Sequence, residues 1–467
     1  MTTATRRLAA TAAVAAVALS SAACSTKLSN AAPPATTVAP TTTVQGAATP
    51  AQTKAADYRA QLTYLMVEHV FLLGRVTKEI VAAGGVPAAT TTTTVAATAT
   101  TVASGASTPT TATTPTTATT ATTTTAASGT AATATPVTVP GGDDAAGALD
   151  KNSHDIADLL AQAQGYGSDF DTAFYQQWTA RINDVAAYTT AKVTKDTAGA
   201  TTAVAALATN ATAIAKIVHQ VNKYVAVTTV SSPGTGLADE LQPNNTAATT
   251  FVDAQVAQST AAVADVVAAA ETIRHTATYL GAAAAKLDPE QFPGTATGTA
   301  ANLRAAVTSA LFEHVELAIL VCDELVAGRA GAPESAALAN NTAALANTVI
   351  VNFGDQASRD FTTLWNGYVT ALEGYARAKA GGGGAPDLST VGQQVGAFFA
   401  QQAPQLNATL IAADMQQTVD GLKATIDAAA ARSPEVTSLR VAGATVPKLA
   451  SDISEGIAEF KPAQYLP

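Results

Sequence analysis

Val67-Glu68-His69-Val70 and Phe312-Glu313-His314-Val315 are two versions of one stretch, and the reading of the whole chain turns on them. The first lies in a run, 58–83, where Leu62, Leu65, Met66, His69, Leu72, Leu73, Val76 and Ile80 recur at helical spacing, which predicts an amphipathic helix with one apolar stripe. Asp57 is placed to cap this helix and Gly84-Gly85 to end it. The second run, 303–328, repeats the pattern at a constant offset. Arg59 aligns with Arg304, Thr63 with Thr308, Leu72 with Leu317, Val76 with Val321 and Glu79 with Glu324.

A second block repeats downstream. Leu149 and Asn152 match Leu338 and Asn341, Phe174 matches Phe361, Trp178 matches Trp365 and Tyr188 matches Tyr375. The chain holds 2 tryptophans, so these two are equivalent. Phe174/Trp178 and Phe361/Trp365 are each spaced i, i+4 and share a helix face, which marks them as core anchors. Helical periodicity continues over 145–164, 171–195, 201–227 and 246–287 after the first copy, the last long enough to hold a break, and over 334–351, 356–379, 388–402, 405–431 and 435–460 after the second. The expected fold is all-α: two tandem homologous helical bundles, 57–293 and 303–467, joined by a linker at 294–302.

The rest of the chain reads as leader and linker. Residues 1–23 have the form of a signal peptide, with Arg6-Arg7, an apolar run at 8–19 and Ser21-Ala22-Ala23 before Cys24. Small residues before a cysteine resemble the lipobox of bacterial lipoproteins, which makes Cys24 the expected lipid anchor and places the protein on the outer face of a Gram-positive, actinobacterial-type cell membrane. Residues 24–56, rich in Ala, Thr, Pro and Ser, are expected to form a disordered tether, and the Thr-rich stretch 86–142 a disordered insertion in the first bundle.

Composition excludes some functions. The net charge is −10 and no Lys/Arg cluster lies outside the N-terminus, so nucleic acid is not an expected partner. The 2 cysteines, Cys24 and Cys322, sit in unrelated contexts and do not suggest a disulfide framework. There is no Gly-x-Ser-x-Gly elbow, phosphate loop, dinucleotide fingerprint or His-Glu-x-x-His, and no enzyme activity or catalytic residue is assigned.

The residues left for chemistry are Glu68, His69, Glu313 and His314, with His275 as a further histidine. Both histidines of the repeated stretch fall on the apolar stripe, and each glutamate falls at its edge. The first reading is a polar core group without a cofactor. The second is a metal or haem ligand inside a bundle, used for uptake or storage. Adjacent Glu and His point about 100° apart on a helix, which argues against a chelating pair.

The pattern Glu-His-Val, then Leu-x-x-Asn, then Phe-x-x-x-Trp, then a terminal Pro-x-Gln-Phe/Tyr resembles exported helical proteins of Gram-positive bacteria, some labelled by a copper amine oxidase N-terminal-type domain. In that family further histidines follow the Trp by three positions and recur later; here those positions hold Arg181 and Tyr368, then His275 and Lys448. The resemblance carries no reaction. The expected role is therefore binding or structural, in a cell envelope, with envelope proteins or a small ligand as partners alongside the membrane.

Overall fold

A computed structural model describes residues 51–85, 145–164, 168–228, 236–381 and 383–465. All of them belong to one unit, Ala48–Pro467. The expected signal peptide, Cys24, the tether up to residue 50 and the Thr-rich insertion lie outside the described residues. Within them the fold is all-α, with no strand.

The helices of the first half are α1 Lys54–Ala82, α2 Ala145–Gln164, α3 Ser168–Thr194, α4 Thr197–Val221, α5 Leu237–Val256 and α6 Ala262–Leu287. The second half carries α7 Thr299–Val326, α8 Ala332–Phe353, α9 Asp355–Gly381, α10 Val391–Gln402, α11 Ala408–Ala430, α12 Val436–Ala444, α13 Val446–Phe460 and α14 Pro462–Tyr465. α1 packs against α2, α3, α5 and α6, and α7 against α8, α9, α11, α12 and α13. The two central helices also pack on each other. α7 is apolar enough to cross a membrane, but here 78% of its most apolar window is buried by neighbouring helices.

α1 and α7 run parallel, fastened at both ends. Near their N-termini Arg59 donates to Ala296 O (2.7 Å) and Asn302 Oδ1 (2.5 Å), while its repeat partner Arg304 donates to Ala51 O (2.8 Å) and pairs with Asp57. Each arginine thus holds the start of the other half's first helix. At the far end Lys78 lies 3.8 Å from Glu324.

Local details depart from the sequence expectations in several places. α1 begins at Lys54, three residues before Asp57, because Thr53 is the cap and its side chain accepts from the Ala56 N–H. Asp57 is spent on Arg304 instead, and residues 51–56, expected in the tether, include the buried Ala51, Ala55 and Ala56. The apolar run 246–287 does hold the break its length allowed: it is two helices, parted where Gln258 takes a positive φ of 50°. The first of the pair starts at Leu237 and contains Pro243, which costs one backbone hydrogen bond and is outweighed by the burial of Leu241, Phe251 and Val252. Likewise 435–460 is broken at Thr445, since Pro447 has no N–H to continue the ladder.

The core is built from small side chains, so helices approach closely. Gly392 and Gly396 of α10, one turn apart, lie against Ala408 and Ala412 of α11 so tightly that a Cβ on either glycine would meet a backbone carbonyl oxygen. No rotamer change relieves a clash with backbone. Gly396→Val is expected to lower unfolding stability by about 1–3 kcal/mol, the usual cost of overpacking; a denaturant midpoint unchanged from that of the unsubstituted chain would contradict this close crossing.

Candidate functional site

The Glu-His stretch of α1 lies inside the bundle. His69 is fully buried, and the indole N–H of Trp178 on α3 donates to its Nδ1 (3.2 Å). Trp178 in turn stacks on Phe174 with ring centroids 5.5 Å apart. In the second half, the Trp365 indole donates to His314 Nδ1 at the same 3.2 Å, and Trp365 stacks on Phe361 at 5.1 Å. All four aromatic anchors are buried.

An indole can only donate, so Nδ1 must present its lone pair and the proton belongs on Nε2. Neither Nε2 has a partner. Asn152 Oδ1 also lies 3.1 Å from His69 Nδ1, and it competes with the indole, because a proton on Nδ1 would satisfy the amide oxygen and strand the Trp178 N–H. In the second half Asn341 Oδ1 approaches His314 without reaching hydrogen-bond distance, and the Tyr368 ring lies 5.6 Å from the His314 ring beside Trp365. Burial pushes both histidines down to about 3, helped at His69 by the nearby Arg181 guanidinium.

Glu68 is not at the edge of the stripe as expected but buried, 1% exposed. Its carboxylate accepts from Tyr64 Oη (3.2 Å), from Asn152 Nδ2 (2.7 Å) and from Nε and Nη2 of Arg440 (3.0 and 3.2 Å). Asn152 therefore links Glu68 to His69, two adjacent residues that point apart on their own helix. Arg440 comes from α12 of the other half and also reaches Asp155 Oδ2 at 2.8 Å. Glu313 has a simpler setting. It accepts from Asn341 Nδ2 at 3.1 Å, and burial raises its carboxyl above the usual range.

His275 is exposed and stands apart from both glutamate-histidine pairs. Lys448, its counterpart in the second half, pairs with Asp414 (2.5 Å) and Asp452 (3.3 Å). Among the described residues no group of three or more His, Cys, Asp or Glu is placed to hold a metal ion. Cys322 is a buried free thiol whose pKa burial drives well upward, so it is held as an inert thiol.

Two buried polar clusters were not read from sequence. Arg181, fully buried beneath the Trp178 ring, donates through Nε to Asn245 (2.8 Å) and through Nη2 to Asn244. The Asn-Asn pair stands just before the apolar run at 246 and falls inside α5 in the structure. Arg75 of α1 lies between Glu316 (3.3 Å), Asp323 (3.6 Å) and Glu435 (3.2 Å), all from the second half. Glu316, one turn after Phe312 on the same helix, is the residue that the sequence offered for this cluster. Burial raises Glu316 to about 7 against the pull of Arg75, and raises Asp323 in the same direction.

No protein-family model, curated protein or solved structure matches this chain.

Two pH effects follow from these pKa shifts. The histidines are depressed from 6.5 to about 3. The stability of their neutral, buried state is fully present above pH 6.5 and lost as pH falls toward 3, on the order of 3 kcal/mol per histidine between pH 7 and 4. His69→Gln with His314→Gln supplies a non-titrating amide acceptor to each indole and is expected to flatten the acid limb of the stability profile, measured by urea unfolding; an unaltered slope refutes the assignment. Glu316 has the opposite sign. Its pKa is raised from 4.5 to about 7, so its contribution is full below 4.5 and lost as pH rises through 7. Arg75→Met, which leaves three carboxylates facing one another, is expected to cost about 3 kcal/mol or more at pH 8 and far less at pH 5, read from the same unfolding curves.

Proposed function

We propose that this chain is an exported, lipid-anchored protein of the cell envelope, built as two tandem homologous helical bundles, with a binding or structural role. The observation that carries the reading is the recurrence of one contact set in both halves. Besides the two Trp–His bonds, Tyr188 Oη donates to Asp253 (2.9 Å) and Tyr375 Oη to Asp427 (3.0 Å). The aspartates are also paired to Lys192 and Lys379, at 2.9 and 2.7 Å. Asn152 and Asn341 each donate to the backbone carbonyl three residues before the glutamate, Leu65 O and Ala310 O, at 2.9 Å. The repeated residues are thus occupied with holding helices together, which favours a scaffold over a reaction centre.

The sequence supports export and anchoring through the leader and Cys24. A second reading, a metal- or haem-binding bundle, draws on the unpartnered Nε2 atoms of His69 and His314. Ligation there requires the proton to leave Nε2 for Nδ1, and each ring then loses its indole donor.

The test uses the full chain in its native envelope. Cys24→Ala is expected to abolish fatty-acid labelling and to move the protein from the membrane fraction to the soluble one; unchanged labelling and fractionation overturn the anchoring. Elemental analysis of the purified protein separates the two readings. Stoichiometric metal that disappears in His69→Gln and His314→Gln supports the second, whereas lowered stability without any change in metal supports the first.

A further inference from the structure

Two clefts flank the paired central helices, one over each glutamate of the repeated stretch. The cleft over Glu68 is lined by Lys151, Asp155, Arg440 and Ala444 among others, and Arg440 fills its polar end with a bidentate grip on Glu68. Its charge is balanced: Glu68 and Asp155 face Arg440 and Lys151.

The cleft over Glu313, about 690 Å³, occupies the corresponding place between α6, α7 and α8. Its walls are small, with Ala310, Ala336, Ala337 and Ala344, so there is room above the carboxylate. Its charge is not balanced. Glu313 and Glu271 face one cation, Arg274, and that guanidinium is directed to Glu271 and to Ser309 Oγ (3.1 Å). Among the described residues Glu313 has no ion pair within salt-bridge distance. Asn341, which also lines this cleft, is 1% exposed and gives Glu313 only a neutral amide N–H at 3.1 Å, where Glu68 has a guanidinium.

We infer that the cleft over Glu313 binds a guanidinium group from outside the chain, as the equivalent cleft over Glu68 holds that of Arg440. The inference rests on the proposed equivalence of the two halves. A planar guanidinium matches a carboxylate with two parallel N–H···O bonds, and its weak hydration suits an alanine-walled cleft. The group can arrive on a free alkylguanidine or as an arginine side chain of a peptide.

Isothermal titration of the full chain with butylguanidine and with Ac-Gly-Arg-Gly-amide distinguishes these sources, and Ac-Gly-citrulline-Gly-amide is the uncharged control. Expected are saturable binding of at least one cationic probe at one site, no binding of the citrulline peptide, and at least a ten-fold loss in Glu313→Gln. Glu313→Asp, which keeps the charge, retains part of the affinity, and this guards against a mere folding defect. Arg274→Met is expected to tighten binding by removing the resident cation. Binding of neither probe, equal binding to Glu313→Gln, or binding only after Arg274→Met overturns the inference, the last because the site would then belong to Arg274. Arg440→Met separates the inference from its premise. A second equivalent site supports both; one site still lost in Glu313→Gln supports the inference and counts against equivalence of the halves.

Discussion

A buried indole N–H must find an acceptor, and in this fold it finds a histidine ring nitrogen. That requirement ties α3 to α1 and α9 to α7 and sets the tautomer of both histidines, while burial keeps them neutral. Much else follows from it. The Phe–Trp stacks are positioned by the anchored indoles, and the asparagines that approach the histidines also hold the neighbouring glutamates. Small residues fill most of the remaining core, so these few large and polar contacts give the helices their mutual orientation.

How much of this was legible depended on whether the determining signal was local. The apolar stripe of α1 and the repeated Phe-x-x-x-Trp were visible, because periodicity and spacing report which face is buried. Helix ends were less so: Thr53 rather than Asp57 caps α1, and nothing local separates two capping residues four positions apart. The start of α5 at Leu237 lies nine residues before the run expected from 246, and Pro243 is carried inside the helix because its neighbours bury Leu241, Phe251 and Val252. Glu68 was placed at the edge of a stripe for the same kind of reason. Its partner Arg440 lies 372 residues away, and a single helix cannot show that the far half will supply a cation.

The two halves share a plan and differ in their electrostatics. The first half brings Arg75 to the central interface and the second brings Glu316 and Asp323, so the pairing of the halves is complementary there rather than self-matching. At Glu68 and Glu313 the same carboxylate is in one case neutralised by α12 and in the other left beside an amide.

The crossed arginines at the starts of α1 and α7 have a consequence for the order of assembly. Arg59 is satisfied by Ala296, 237 residues later, and Arg304 by Ala51, 253 residues earlier. Arg59 has no acceptor for this clasp until the residues from 296 onward have emerged, and Asp57 has no cation until Arg304 has. Closing the clasps is therefore a long-range event, and a chain interrupted before residue 296 carries Arg59 and Asp57 without the partners that lie beyond the break.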